Sequence, residues 1–252
     1  MDTKNVIAAI SLSAAVIILY TLFFAPSPEE LKKIQEENRN QITENTEAPS
    51  LEVEEKIIEI SRDEAKSQNQ RVEFENLSIK GSISLKGGLI DDLTFKKYTE
   101  TLNGNDQVVL LNPKNLDNGY YIDTGWVTNS ENIEIPNNNT TWEVIGNTKL
   151  TPNNPIILSW KNNQGIIFNK KITIDEEYLF TINQSIKNNT DKKYNFYSYG
   201  QIIRNTAPKV TNFYILHEGL LGVFDDQLIE EDYDDIEEKK YSINAKKGWL
   251  GI

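Results

Sequence analysis

The chain opens on an unbroken apolar run, continues through a long polar stretch and then settles into alternation. Each texture predicts a different element. Val6 to Phe24 is 19 residues without a charge. At about 1.5 Å per residue such a helix is roughly 28 Å long, close to the hydrocarbon thickness of a bilayer. This predicts an N-terminal transmembrane anchor over 1–25. A cleaved signal peptide is the competing reading, with a shorter apolar region ending in a small-x-small site. Here Ala25 is followed by Pro26, Ser27 and Pro28, with no Ala-x-Ala, which favours the uncleaved anchor. Lys4 and the α-amine face Asp2 on one flank, and Glu29 and Glu30 come first on the other. The cytoplasmic side carries the positive charge, so the bias places the N-terminus inside and the remainder outside the cytoplasm.

Residues 26–70 hold 12 acidic and 6 basic residues and no aromatic. Such a stretch buries too little apolar surface to offset its ordering entropy, so an acidic, disordered, flexible linker is expected. Short helices are compatible with 29–37 and 61–66. From Arg71 the texture changes. Ile79, Gly81, Ile83 and Leu85 share one parity, Lys86-Gly87-Gly88 breaks the run, and LIDDLTFKKY follows, which predicts a hairpin. Val108–Leu111 and Tyr120–Val127 are further strand candidates. Between 140 and 204 the strand-like segments WEVI, IILSW, IIFNKKITI, YLFTINQSI and YNFYSYGQII are separated by polar turns. Ile156, Leu158 and Trp160 share a face, as do Phe180, Ile182 and Ile186. This is the signature of an antiparallel meander in a β-sandwich or barrel. No βαβ alternation appears, so a parallel nucleotide-binding sheet is not expected. The acidic run 225–238 reads as a solvated connector or short helix, and 240–244 as a last strand.

Charge and composition narrow the chemistry. Thirty-eight Asp and Glu stand against 26 Lys and Arg, for a net charge of -12. That surface repels phosphate backbones, so no nucleic-acid partner is expected. The absence of Cys removes disulfides, thiolate nucleophiles and Cys-ligated zinc together. His217 is the single His, there is no G-x-S-x-G elbow, and phosphate-loop and dinucleotide fingerprints are missing. Asp91-Asp92 and Asp225-Asp226 are candidates for paired-carboxylate work by residue type alone; adjacent carboxylates more commonly sit in solvated turns. The spacing of 225–238 does not fit a calcium loop. His217-Glu218 could serve as acid and base on a sugar, against the plainer reading of a strand-end pair. No catalytic, cofactor-binding or metal residue is assigned, and no enzyme activity is expected.

Four separated blocks, IKGSISLKGGLIDDLTFKKYTETL (79–102), YYIDTGWV (120–127), YSYGQIIRNTAPKVTNFYILHEGLLGV (197–223) and KKGWLGI (246–252), resemble the YidC/Oxa/Alb family of membrane protein insertases, alphaproteobacterial members in particular. The resemblance covers the whole chain. It implies a periplasmic β-supersandwich similar to galactose mutarotase over 71–238, behind the anchor in the bacterial inner membrane. It further implies nascent inner-membrane proteins as clients, contact with the Sec translocon including SecDF, and contact with the lipid bilayer. The family's five-helix membrane core, with its polar groove, is expected to begin after Ile252. Residues 239–252 then read as a connector and the chain as a fragment lacking the insertase core, so no groove residue is carried over. The alternative is a membrane-anchored periplasmic sugar-binding or aldose-epimerase-like protein. A mutarotase site uses several His with a Glu, and the single His argues against it.

Overall fold

Residues 60–208, 217–238 and 240–252 are described in the computed structural model. The apolar run 6–24 and the helix candidate 29–37 lie outside the described residues. Among the described residues no helix is long and apolar enough to cross a membrane.

The described part is mainly β. It begins with a one-and-a-half-turn helix, α1 (Arg62–Ser67), inside the stretch expected to be linker. Ser61 caps it, its side chain accepting from Glu64 N at 3.2 Å, and Asp63 and Glu64 sit favourably in the first turn. Nine strands then follow one hydrogen-bonded path. They are β1 (Arg71–Glu75), β2 (Ile79–Ser84), β3 (Leu89–Thr99), β5 (Tyr120–Thr128), β6 (Glu143–Thr151), β7 (Asn154–Lys161), β8 (Ile166–Ile174), β9 (Phe180–Asn188) and β10 (Phe196–Arg204), while β4 (Gln107–Leu111) pairs with β3 off that path. Their order is β10-β5-β3-β2-β1-β6-β7-β8-β9. A smaller sheet holds β11 (Gly219–Phe224) between β12 (Gln227–Asp232) and β13 (Gly248–Gly251), with α2 (Tyr233–Glu238) after β12.

Local sequence explains the hairpins. Gly87 and Gly88 both have positive φ, at 77° and 67°, which Gly adopts without a steric cost, and β2 turns into β3 through them. At the β7–β8 turn the Asn162 side chain accepts from Gln164 N and Ile166 N at 3.1 and 2.8 Å. At β8–β9 Asp175 does the same for Glu177 N and Leu179 N, both at 2.9 Å. Asn and Asp favour turns through these local bonds. The expected alternation is realised: Ile166, Phe168, Ile172 and Ile174 of β8 and Ile156 and Leu158 of β7 all point inward.

Two expectations about topology are corrected. The meander ends at β9; β10 does not continue it but pairs antiparallel with β5 from Phe196↔Thr128 to Arg204↔Tyr120. The link 189–195 is too long for a tight hairpin and carries the chain across to the other half of the sheet. Thr128 Oγ1 donating to Asn195 O at 2.6 Å, and Asn195 N donating to Ser130 Oγ at 3.0 Å, fix the arrival. The sheet is also not wholly antiparallel: β1 and β6 run parallel over Glu73↔Lys149 and Phe74↔Leu150. These strands are far apart in sequence, so no turn dictates their relative direction.

The parallel junction lets the sheet fold over itself as a sandwich. Phe74 of β1 meets Phe180 of β9 edge to face at 5.1 Å, and Phe168 of β8 meets Trp126 of β5 and Phe196 of β10 at 5.3 and 5.5 Å. Gln184 of β9 donates to Gly125 O of β5 at 2.8 Å. One core cluster thus draws on both halves. The strand expected at 240–244 is absent; the strand forms later, at Gly248–Gly251, within the stretch read as a connector, and pairs with β11 from Leu221↔Gly251 to Phe224↔Gly248.

Candidate functional site

The outer face of β1, β2, β3 and β4 is polar. Cross-strand register sets Glu73, Ser82 and Asp92 in one row, and Glu75, Lys80, Thr94 and Val109 in the next. With α1 against it, this face bounds a cleft of about 670 Å³, lined by Arg62, Lys66, Arg71, Lys80, Asp92 and Lys149 among others.

Of the acidic pair Asp91-Asp92, Asp92 lines the cleft, and Asp91 reaches the lining residue Arg71. Both residues are buried, contrary to the expected solvated turn. The reason is local. Register shifts between Ser82 and Ile83, which pair with Asp92 and Ile90, so Asp91 is the extra residue of a β-bulge. A bulge re-aims side chains, and each carboxylate finds an arginine. Arg71 Nη2 donates to Asp91, and Arg71 Nε donates to Ser82 Oγ at 2.7 Å. Ser82 Oγ in turn donates to Asp92 Oδ2 at 2.5 Å. Arg62 Nη2 donates to Asp92 Oδ1, and Lys66 Nζ lies 3.9 Å from the same atom, because residues four apart share one face of α1. At the rim Glu75 binds Lys96 at 3.1 Å and Lys149 at 3.2 Å, and those two lysines hold its carboxyl below the usual range.

Burial pushes the Asp91 carboxyl up, and the Arg71 charge opposes the shift. Both carboxylates are bound by arginines, unlike the paired acid and base that glycoside chemistry sets facing a substrate. The arrangement is suited to binding, with a wall of oriented donors and acceptors. Among the described residues no group of His, Asp and Glu is placed to hold a metal.

The other sequence candidates separate. Asp225 and Asp226 form the two-residue turn between β11 and β12, both at positive φ (48° and 71°), the geometry of a type I′ hairpin. Asp225 accepts from Lys246 N and Lys247 N at 3.1 and 3.2 Å, tying β13 to the hairpin. His217 does not pair with Glu218. Its Nδ1 lies 3.1 Å from Asp232 Oδ1, as expected for residues at a strand end.

Sequence reasoning missed Lys170. It occupies the inward row of β8 between Phe168 and Ile172 and is 1% exposed. Burial pushes its ammonium down to about 8, opposed through space by the Asp123 charge. Asp123 itself is raised by burial and accepts from Tyr199 Oη at 3.1 Å. Its parity with Ile166, Phe168 and Ile172 was legible in the sequence. Arg62 and Arg71 carried no such signal.

The family model described as the YidC periplasmic domain matches residues 71–252. The chain belongs to the YidC family. That match starts on the first residue of β1, so α1, whose Arg62 binds Asp92, lies just outside it. The membrane protein insertase YidC of Pelagibacter ubique is 56% identical over 252 residues, covering 100% of this chain and 45% of that protein. The YidC proteins of Rickettsia africae and Rickettsia akari are 41% and 40% identical over 254 residues, each covering 98% of this chain and 44% of the relative. The chain therefore spans a little under half the length of the YidC relatives it matches. The resemblance read from the four sequence blocks is the same family.

Proposed function

We propose that this chain is the extracytoplasmic part of a YidC-type insertase that assists the insertion and folding of inner-membrane proteins, alone or with the Sec translocon. The observation that carries the proposal is the 56% identity, over the whole chain, to a protein named as that insertase. In this reading Val6–Phe24 anchors the chain in the inner membrane, residues 26–70 form the tether with α1 as its folded end, and the sandwich from Arg71 onward stands in the periplasm. The domain is a supersandwich of the galactose-mutarotase type used for binding, with the aldose-epimerase chemistry of that fold absent. SecDF and translocating clients are its partners, and the cleft beneath α1 is its contact surface. The ion pairs that hold Asp91 and Asp92 against arginines support a binding rather than an enzymatic role.

The test is site-specific photocrosslinking from Lys80, which is exposed at the cleft. The full chain is expressed in a bacterial inner membrane during synthesis of a radiolabelled inner-membrane protein. Adducts with the nascent protein or with Sec components are expected from Lys80 and not from the exposed Leu77, outside the cleft lining. Absence of adducts from Lys80, or rapid equilibration of α-galactose anomers by the purified chain, would overturn the proposal.

A further inference from the structure

The short helix α1 holds the sheet by little apolar surface, since Ala65 is its one buried residue. Its further ties are polar. Arg62 Nη2 donates to Asp92 Oδ1 and, at 3.4 Å, to Leu111 O. Lys66 Nζ lies 3.9 Å from the same carboxylate, and Gln68 Oε1 accepts from Asn115 Nδ2 at 3.0 Å. The acceptors Asp92 and Leu111 belong to the sheet, while the match to the periplasmic-domain family begins only at residue 71. A segment from outside the matched domain thus supplies the cation for a carboxylate within it, and that carboxylate's residue is 6% exposed.

Lifting α1 away would strand the Asp92 charge, which is strongly disfavoured; exchanging Arg62 for another cation keeps the charge paired. Arg62 is also an imperfect occupant, because its Nε is buried with no acceptor in the protein. The net charge of -12 draws cationic segments toward the chain. We infer that α1 is an internal stand-in for a partner: the cleft takes a basic segment, whose arginine or lysine pairs with Asp92, and that segment enters by displacing α1. This inference rests on the cleft being the contact surface proposed above, and adds the partner's chemistry and the element that gates it.

The test uses the full chain in neutral maltoside micelles and two labelled Ala/Gln-rich peptides. One carries Arg and Lys four positions apart, as Arg62 and Lys66 stand in α1; the other carries Glu at both places. The basic peptide should bind, and millisecond amide exchange of α1 should speed up saturably as it is added. The acidic peptide should leave α1 unchanged. Arg62→Met removes the internal competitor, so it should tighten basic-peptide binding about tenfold, the gain expected if α1 is docked about nine-tenths of the time. Asp92→Asn should abolish the binding. The exchange measurement on the parent needs no variant and decides the matter even where a variant fails to fold. Absence of basic-peptide binding, binding that leaves α1 exchange unchanged, an equal response to the acidic peptide, or unchanged affinity in folded Arg62→Met would each overturn the inference. Crosslinks from Lys80 report whether clients or Sec components reach the cleft, and the peptides report what chemistry displaces α1, so either result can fail while the other stands.

Discussion

Replacing Arg71 by Met tests the ion-pair account of the cleft. The Arg71 and Asp91 side chains are 11% and 5% exposed, so the pair is nearly desolvated. Removing one partner of such a pair costs about 3–5 kcal/mol, because the other charge stays buried without compensation. That is a large share of a typical domain stability of about 5–15 kcal/mol. Replacing both, as Arg71→Met with Asp91→Leu, should recover most of the loss, since apolar replacement of a buried pair is often neutral. The pH dependence follows from the raised Asp91 carboxyl. A raised folded pKa means that the fold binds the proton more tightly than the unfolded chain does. The resulting stability is fully present below the unfolded value, about 3.9, and is lost as pH rises through the folded value. Without Arg71 the folded value climbs further, so the deficit of Arg71→Met should be largest near neutrality and narrow as the pH is lowered. Urea unfolding of the full chain, followed by Trp fluorescence at several pH values, measures this. A deficit below about 1 kcal/mol at pH 7, or one that does not change with pH, would refute the reasoning, since an uncompensated buried charge must produce both effects.

Three further outcomes are expected. Phe168→Ala, at the meeting point of Trp126, Trp160 and Phe196, should cost about 3–5 kcal/mol in the same unfolding assay. Gly81→Ala should destabilise by at least the upper end of the usual overpacking range, about 3 kcal/mol, because its Cβ would lie 1.9 Å from Asp92 O and 2.6 Å from Phe74 Cζ; a Tm within two degrees of the parent, a shift of well under about 1 kcal/mol, would contradict that packing. The parent should gain stability as pH rises from about 8 to the ordinary lysine value of 10.5, because the Lys170 ammonium is depressed by burial and the unfolded chain binds that proton more tightly. Lys170→Met should lack this gain in denaturation series run at pH 7.5 and 10.

Much of the sheet was legible from local pattern. IIFNKKITI became β8 with the predicted bounds, and the Lys86-Gly87-Gly88 turn closed the predicted hairpin. Those features follow from side-chain period and turn chemistry, which neighbouring residues set. Three local readings still failed. The run 225–238, read as a connector or short helix, holds strand β12, whose partner β11 lies outside that run. Asp91-Asp92 looked like a turn pair because strand pattern does not reveal a bulge or the helix that covers the strand. Lys240–Asn244 looked like a strand, although pairing with β11 selected Gly248–Gly251 instead.

What the sequence by itself determined is most strands of the large sheet, the family, and which of their apolar residues face inward, because these depend on contacts close along the chain or on direct comparison with relatives. Only the tertiary structure decided that β10 crosses to β5, that β1 lies parallel to β6, and that Arg62, Arg71, Ser82, Asp91 and Asp92 meet at one cleft. Long-range pairing is selected by how whole faces bury against each other. No short window of sequence contains the partner that completes a face, and so none contains the charge that a buried carboxylate requires.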